Sequence, residues 1–197
     1  IITKWWADLV QDKNVHLYIG EALYRVGVPS QVEPDWTMGN GVTEIKKQLL
    51  WNIADPTIKG SILFRHLSLR DKNVLPAKAA IQQDVWPHIA LIPAMPWKGT
   101  TPPKPPIQLT KEATSAGVQL TWKAGEELSP PVYYAIYRFK DKAAIDIRSG
   151  ENLLTTLRHN PTHSQQHWVD TSSTGDISVV YVVTALDRNH NESAGGC

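Results

Sequence analysis

Hydrophobic residues recur with one spacing before residue 93 and with another after residue 106. In "IITKWWADLV", Ile2, Trp5, Trp6, Leu9 and Val10 share one side at helical spacing. "VHLYIG" is a short, mostly apolar run that reads as a buried strand. In "VTEIKKQLLWNIAD", Ile45, Leu49 and Ile53 recur at i, i+4 and i+8. Glu44 lies near the helix start, and Asp55-Pro56 stops the pattern. "GSILF" is a second apolar strand run. "PAKAAIQQDVW" is a third helix, with Pro76 suited to its first turn and Pro87 at its end.

The order is helix, strand, helix, strand, helix. Continuous apolar strands, each followed by a helix, imply parallel pairing with right-handed crossovers. Two parallel strands do not complete a sheet, because both edges and most of one face lack partners. Residues 1–98 therefore read as the C-terminal fragment of a (β/α)8 barrel. The competing expectation is a self-contained α/β domain that only mimics a barrel end. A complete, well-buried core within these residues would decide for it.

"PAMPWKGTTPPKPP" carries six prolines and excludes regular helix or a central strand. It reads as a stiff linker, with its boundary set at residues 99–106. From residue 107 to 197 the period becomes two. "GVQLTWKA" places Val118, Leu120 and Trp122 on one face, and "VYYAIYRF" does the same with Val132, Tyr134 and Ile136. "NLLTTL", "HWVD" and "ISVVYVVTALD" follow, and a last strand would come from "ESAGGC". About seven short strands between turn residues are the pattern of an immunoglobulin-like sandwich. The expected fold class is thus α/β plus all-β.

The net charge of +1 shows no basic stripe, which argues against a nucleic-acid partner. No apolar run reaches the length of a membrane span. The single cysteine, Cys197, allows no internal disulfide. The chain starts at Ile1 without a signal-peptide pattern and reads as a mature or excised piece. No phosphate-cradling loop or dinucleotide fingerprint appears, so no cofactor is expected. His159, His163 and His167 recur at a spacing that suits a metal on a helix, but Pro161 argues against a helix there, and no metal site is assigned.

The second half resembles a bacterial fibronectin type III module. Leu120-Thr121-Trp122, Tyr134 to Arg138, Val169-Asp170-Thr171 and "YVVTALDRNHNES" carry that resemblance. The first half resembles the closing part of a glycosyl-hydrolase-like barrel family of bacterial envelope lipoproteins. There the resemblance rests on "DLVQDKNVHLYIGEALYRVG", "EIKKQLLWN", "KGSILF" and "LIPAMPW". It implies cleavage of peptidoglycan glycan strands, a glycan as partner, a periplasmic or outer-envelope location and a lipid-anchored parent.

Glu21 follows Ile19-Gly20 at a strand end, where barrels place active-site residues. Glycosidic cleavage generally takes two carboxyl groups, and Glu21 is the catalytic candidate. Its other reading is structural, paired with Arg25, Arg65 or a backbone amide. Arg65 and His66 follow the second strand and are candidates for sugar contact; alternatively they pair with Glu21 or Asp71. Trp36, in "EPDWTMGNG", is a candidate sugar-stacking ring, with Gly39 and Gly41 letting that loop fold closely. The expected function is that of a C-terminal portion of a cell-envelope glycoside hydrolase, inactive as an isolated piece. The alternative is a non-enzymatic binding or spacer module. Exposed Tyr133, Tyr137 and Phe139 on the sandwich would favour binding, and covered aromatics a spacer.

Overall fold

The computed structural model describes residues 2–37, 39–125, 131–173 and 178–196. Cys197, the only cysteine, lies outside the described residues. The chain divides into two compact units, Ile1–Pro87 and His88–Cys197.

The first unit runs α1 (Ile2–Val10), β1 (Leu17–Glu21), α2 (Asn40–Ala54), β2 (Ile58–Leu63) and α3 (Leu75–Ala80), which continues as a π-turn over Ile81–Val85. β1 and β2 pair in parallel, with Tyr18 opposite Gly60 and Glu21 opposite Leu63. α2 lies between them in sequence, as the crossover rule requires. Its buried stripe is Ile45, Leu49 and Asn52, and Ile53 is exposed. At 100° per residue, a position seven along returns within 20° of the start, whereas one eight along is 80° away. The polar residue therefore sits under the sheet and the isoleucine does not.

The expected barrel fragment is corrected here. Among the described residues there are three α-helices and eight strands in three small sheets, and only β1 and β2 are parallel. The first unit closes a core of its own from Leu23, Val26, Trp36, Ile45, Leu49, Val74 and their neighbours. The apolar strand runs suggested burial on both faces. One face of this sheet is instead open, with Tyr18, Ile62 and Phe64 exposed. The apolar side of α1 is likewise exposed at Ile2, Trp5, Trp6 and Leu9, and its buried residue is Ala7.

The second unit is β-sandwich-like. Strands β3 (Ile107–Thr114), β4 (Gly117–Lys123) and β7 (Gln166–Asp170) form one antiparallel sheet in the order β3-β4-β7. Strands β5 (Tyr133–Phe139), β6 (Leu153–Arg158) and β8 (Val180–Leu186) form the other, in the order β6-β5-β8. Alternation puts Val118, Leu120 and Trp122 of β4 against Tyr134 and Ile136 of β5 and Val183 of β8. In place of a last full strand, the tail makes two isolated bridges, Val183 with Gly196 and Leu186 with Glu192. The division between the units falls at Pro87, ahead of the proline-rich stretch. That stretch packs with the sandwich: Pro103 and Pro106 are buried, and Asn189 and Asn191 donate side-chain hydrogen bonds to the Lys98 and Gly99 carbonyls.

The outer face of the β6-β5-β8 sheet is also covered. Tyr137 and Phe139 are buried with Leu153, Val182 and Leu186, and Leu91 and Ile147 pack against them. The Tyr137 hydroxyl donates to Glu192 at 2.7 Å, and burial pushes its pKa well above the ordinary value. Tyr137 and Phe139 thus form no open aromatic row with Tyr133 among the described residues.

Candidate functional site

The functional candidates of the first unit gather where β1 and β2 end. Pairing continues past Glu21, because the Phe64 N–H donates to the Glu21 carbonyl at 2.8 Å and the Tyr24 N–H to the Phe64 carbonyl at 3.3 Å. These bonds bring the two strand exits together. Tyr24 and Phe64 meet edge to face, with ring centroids 6.0 Å apart. They are 50% and 60% exposed, so each ring keeps a free face. Arg65 and His66 follow at once, both exposed, where the chain turns into the short 3-10 helix His66–Arg70. The Arg65 side chain forms no ion pair among the described residues. The expected pairing with Glu21 or Asp71 is therefore not formed, and its guanidinium remains available.

Glu21 is placed differently. Alternation along β1 sends its side chain to the face that α2 covers, opposite in sense to Tyr18 and Gly20. It is 5% exposed. Asn52 of α2 donates to Glu21 Oε1 at 2.6 Å and to Ser61 Oγ at 2.8 Å. The partner is thus neither an arginine nor a backbone amide. Arg25 instead forms an ion pair with Glu33. Burial raises the pKa of Glu21; the Asn52 bond lowers it and nearby Glu44 raises it again. The expected position of Glu21 at the open rim is corrected accordingly. Its carboxyl points beneath α2, away from Phe64, Arg65 and His66.

A pH prediction follows from this placement. A carboxyl whose folded pKa lies above its ordinary 4.5 stabilises the fold fully below that value, and the contribution is lost as pH rises through the folded pKa. Glu21→Gln keeps an oxygen for Asn52 and removes the titration. The melting temperature of the wild type should fall relative to the variant as pH increases from 4.5 towards 7. Parallel curves for the two proteins over that range would show that burial does not perturb Glu21.

Trp36 is likewise corrected. It is 7% exposed and belongs to the core, so its ring has no free face for a sugar. The Arg25 guanidinium carbon lies 5.3 Å from its ring centroid. The glycines behave as the loop requires: Gly39 has φ +83°, and a Cβ on Gly41 would meet the Trp36 carbonyl oxygen at 2.7 Å. That close approach seats Trp36 against the start of α2.

Of the four sequence candidates, the strand ends bring together Arg65 and His66 and leave Glu21 and Trp36 inside. Tyr24 and Phe64 were not singled out as contact residues. Strand alternation from exposed Ile62 to Phe64 was the available signal. The histidines of the second unit do not share one setting. His159 Nδ1 is 3.1 Å from the Tyr134 hydroxyl, whereas the rings of His163 and His167 stack on each other. Among the described residues no group of histidine, cysteine and carboxylate side chains is arranged to hold a metal ion, and no helix is long and apolar enough to cross a membrane.

No family model matches the chain. The chain is 34% identical over 198 residues to glycosyl hydrolase YngK of Bacillus subtilis (strain 168), a match that covers 98% of the chain and 36% of that relative. It is 48% identical over 82 residues to glycosyl hydrolase DigH of Escherichia coli (strain K12), covering 42% of the chain and 19% of that relative. The chain therefore spans about a third of YngK and a fifth of DigH. The chain is thus similar in sequence to parts of two bacterial proteins named glycosyl hydrolases.

Proposed function

We propose that this chain is the glycan-contacting C-terminal portion of a glycoside hydrolase that acts on bacterial cell-wall glycan in the cell envelope. The observation that carries the reading is the exposed Tyr24–Phe64 pair beside Arg65 and His66 at the parallel strand ends. Sugars present an apolar C–H face and a rim of hydroxyls. An aromatic face takes the first, and a guanidinium or imidazole takes the second. With Glu21 turned beneath α2, this rim carries no carboxyl pair, and the isolated chain binds glycan without cleaving it. The sandwich is an accessory module of the fibronectin type III kind acting as a spacer. Its strand order and covered aromatics support that reading.

The test is co-sedimentation of the chain with purified cell-wall sacculi, together with release of reducing ends. Binding without release is expected. Phe64→Ala should weaken binding at least tenfold, and Arg65→Ala severalfold. Both residues are exposed, so neither substitution should lower the melting temperature. Unaltered binding in both variants would remove the strand-end rim from the glycan interface.

A further inference from the structure

We propose a second sugar-binding site, in the groove between α1 and α2 and separate from the strand-end rim, that takes a short hexosamine oligosaccharide across Trp51. The inference rests on the glycan-directed reading above, but on different residues. Two cavities of about 330 and 450 Å³ adjoin here, both walled by Thr3 and Trp51. Each falls within the size range of small-molecule sites. The Trp51 indole is 49% exposed, and the Lys47 ammonium lies 4.9 Å from its ring centroid.

The smaller cavity combines that ring with Glu21, Glu44, Gln48 and Asn52. The amide of Gln48 donates to Glu44 at 2.8 Å, and that of Asn52 holds Glu21 at 2.6 Å. The Glu21 carboxyl has one oxygen engaged by the Asn52 amide, and Glu44 has Oε1 engaged by the Gln48 amide and Oε2 4.0 Å from the Lys47 ammonium. Carboxyl and amide groups around an aromatic wall supply acceptors and donors alternately, which is what vicinal hydroxyls and an amide substituent on a sugar ring require. The larger cavity adds Lys4 and Asp55 beyond Trp51, so hydrogen-bonding groups continue past the ring along the groove. A phosphorylated ligand is disfavoured, because the Glu44 carboxylate at the narrower end repels it.

The experiment is an NMR titration of the ¹⁵N-labelled chain with the tetramer of β-1,4-linked N-acetylglucosamine. Loss of a signal in Trp51→Phe assigns the Trp51 indole N–H. The tetramer should shift that signal saturably. Read on the Gln48 side-chain amide, Trp51→Ala should weaken binding at least tenfold; read on the Trp51 indole, Gln48→Ala should weaken it severalfold. Gln48→Ala keeps the test valid if Trp51→Ala does not fold. A Trp51 signal that stays in place at millimolar tetramer overturns the groove site, as does undiminished binding in folded Gln48→Ala. Such a result leaves the strand-end rim to be judged by its own sacculus assay.

Discussion

Replacing Trp122 by alanine will cost the second unit about 3–5 kcal/mol, the range for a large aromatic truncated inside a packed core. The indole is fully buried between the sheets and meets Tyr134 edge to face at 5.3 Å. Val118 and Leu120 lie on the same face of β4, and Ile136, Val183 and Ala185 approach from the other sheet. No neighbour is long enough to refill the space without leaving its rotamer. The thermal midpoint of the second unit should fall by more than about 10 °C. Trp122→Phe should cost much less, about 1 kcal/mol. The indole Nε1 is buried without a hydrogen-bond partner, and phenylalanine removes that unsatisfied donor together with the lost volume. An alanine variant that melts with the wild type would mean that the sandwich does not depend on its inter-sheet core.

The second large effect is expected at Asp170, the last residue of β7. This buried carboxylate accepts from Arg138 Nη1 of β5 at 2.7 Å and from the Tyr181 hydroxyl of β8 at 2.7 Å. It also accepts from the Ser172 backbone N–H at 3.0 Å and the Ser172 hydroxyl at 2.7 Å. One side chain thereby ties the two sheets together. Asp170→Ala leaves the Tyr181 hydroxyl and the Arg138 guanidinium short of an acceptor and should cost about 3 kcal/mol. Burial by itself would raise the pKa of Asp170. The Ser172 and Tyr181 hydrogen bonds and the Arg138 charge outweigh burial and hold it below the ordinary 3.8. A depressed carboxyl stabilises the fold above its unfolded value, and that contribution is lost as pH falls through the folded one. Urea midpoints of the wild type should therefore drop below about pH 4, and those of Asp170→Asn should drop less. Equal acid sensitivity of the two would show that other carboxylates govern acid unfolding.

The second unit was the more legible in sequence. Alternation at period two assigned Val118, Leu120, Trp122, Tyr134 and Ile136 to a shared interior, and the structure places them there. Its outer face was not legible. Tyr137 and Phe139 alternate as surface positions would, but Leu91, Ile147 and the tail at Glu192 cover them. Such covering comes from segments distant in sequence, and local patterning carries no record of it. In the first unit, the element order and parallel pairing were readable from the apolar runs. The barrel was not, because an apolar run says that a strand can be buried on two sides and does not say that both sides are covered.

By itself, the sequence determined the helix-strand order of the first part, the alternation of the second and the placing of Arg65 and His66 at a strand end. These follow from period and punctuation, which are local properties of the backbone. Only the tertiary structure decided which way Glu21 faces, that Asn52 rather than Ile53 meets it, and that Trp36 is core while Tyr24, Phe64 and Trp51 stay exposed. The physical reason is that a side chain's role depends on what covers it, and cover is set by the register of β1 with β2 and by the rotation of α2 over them.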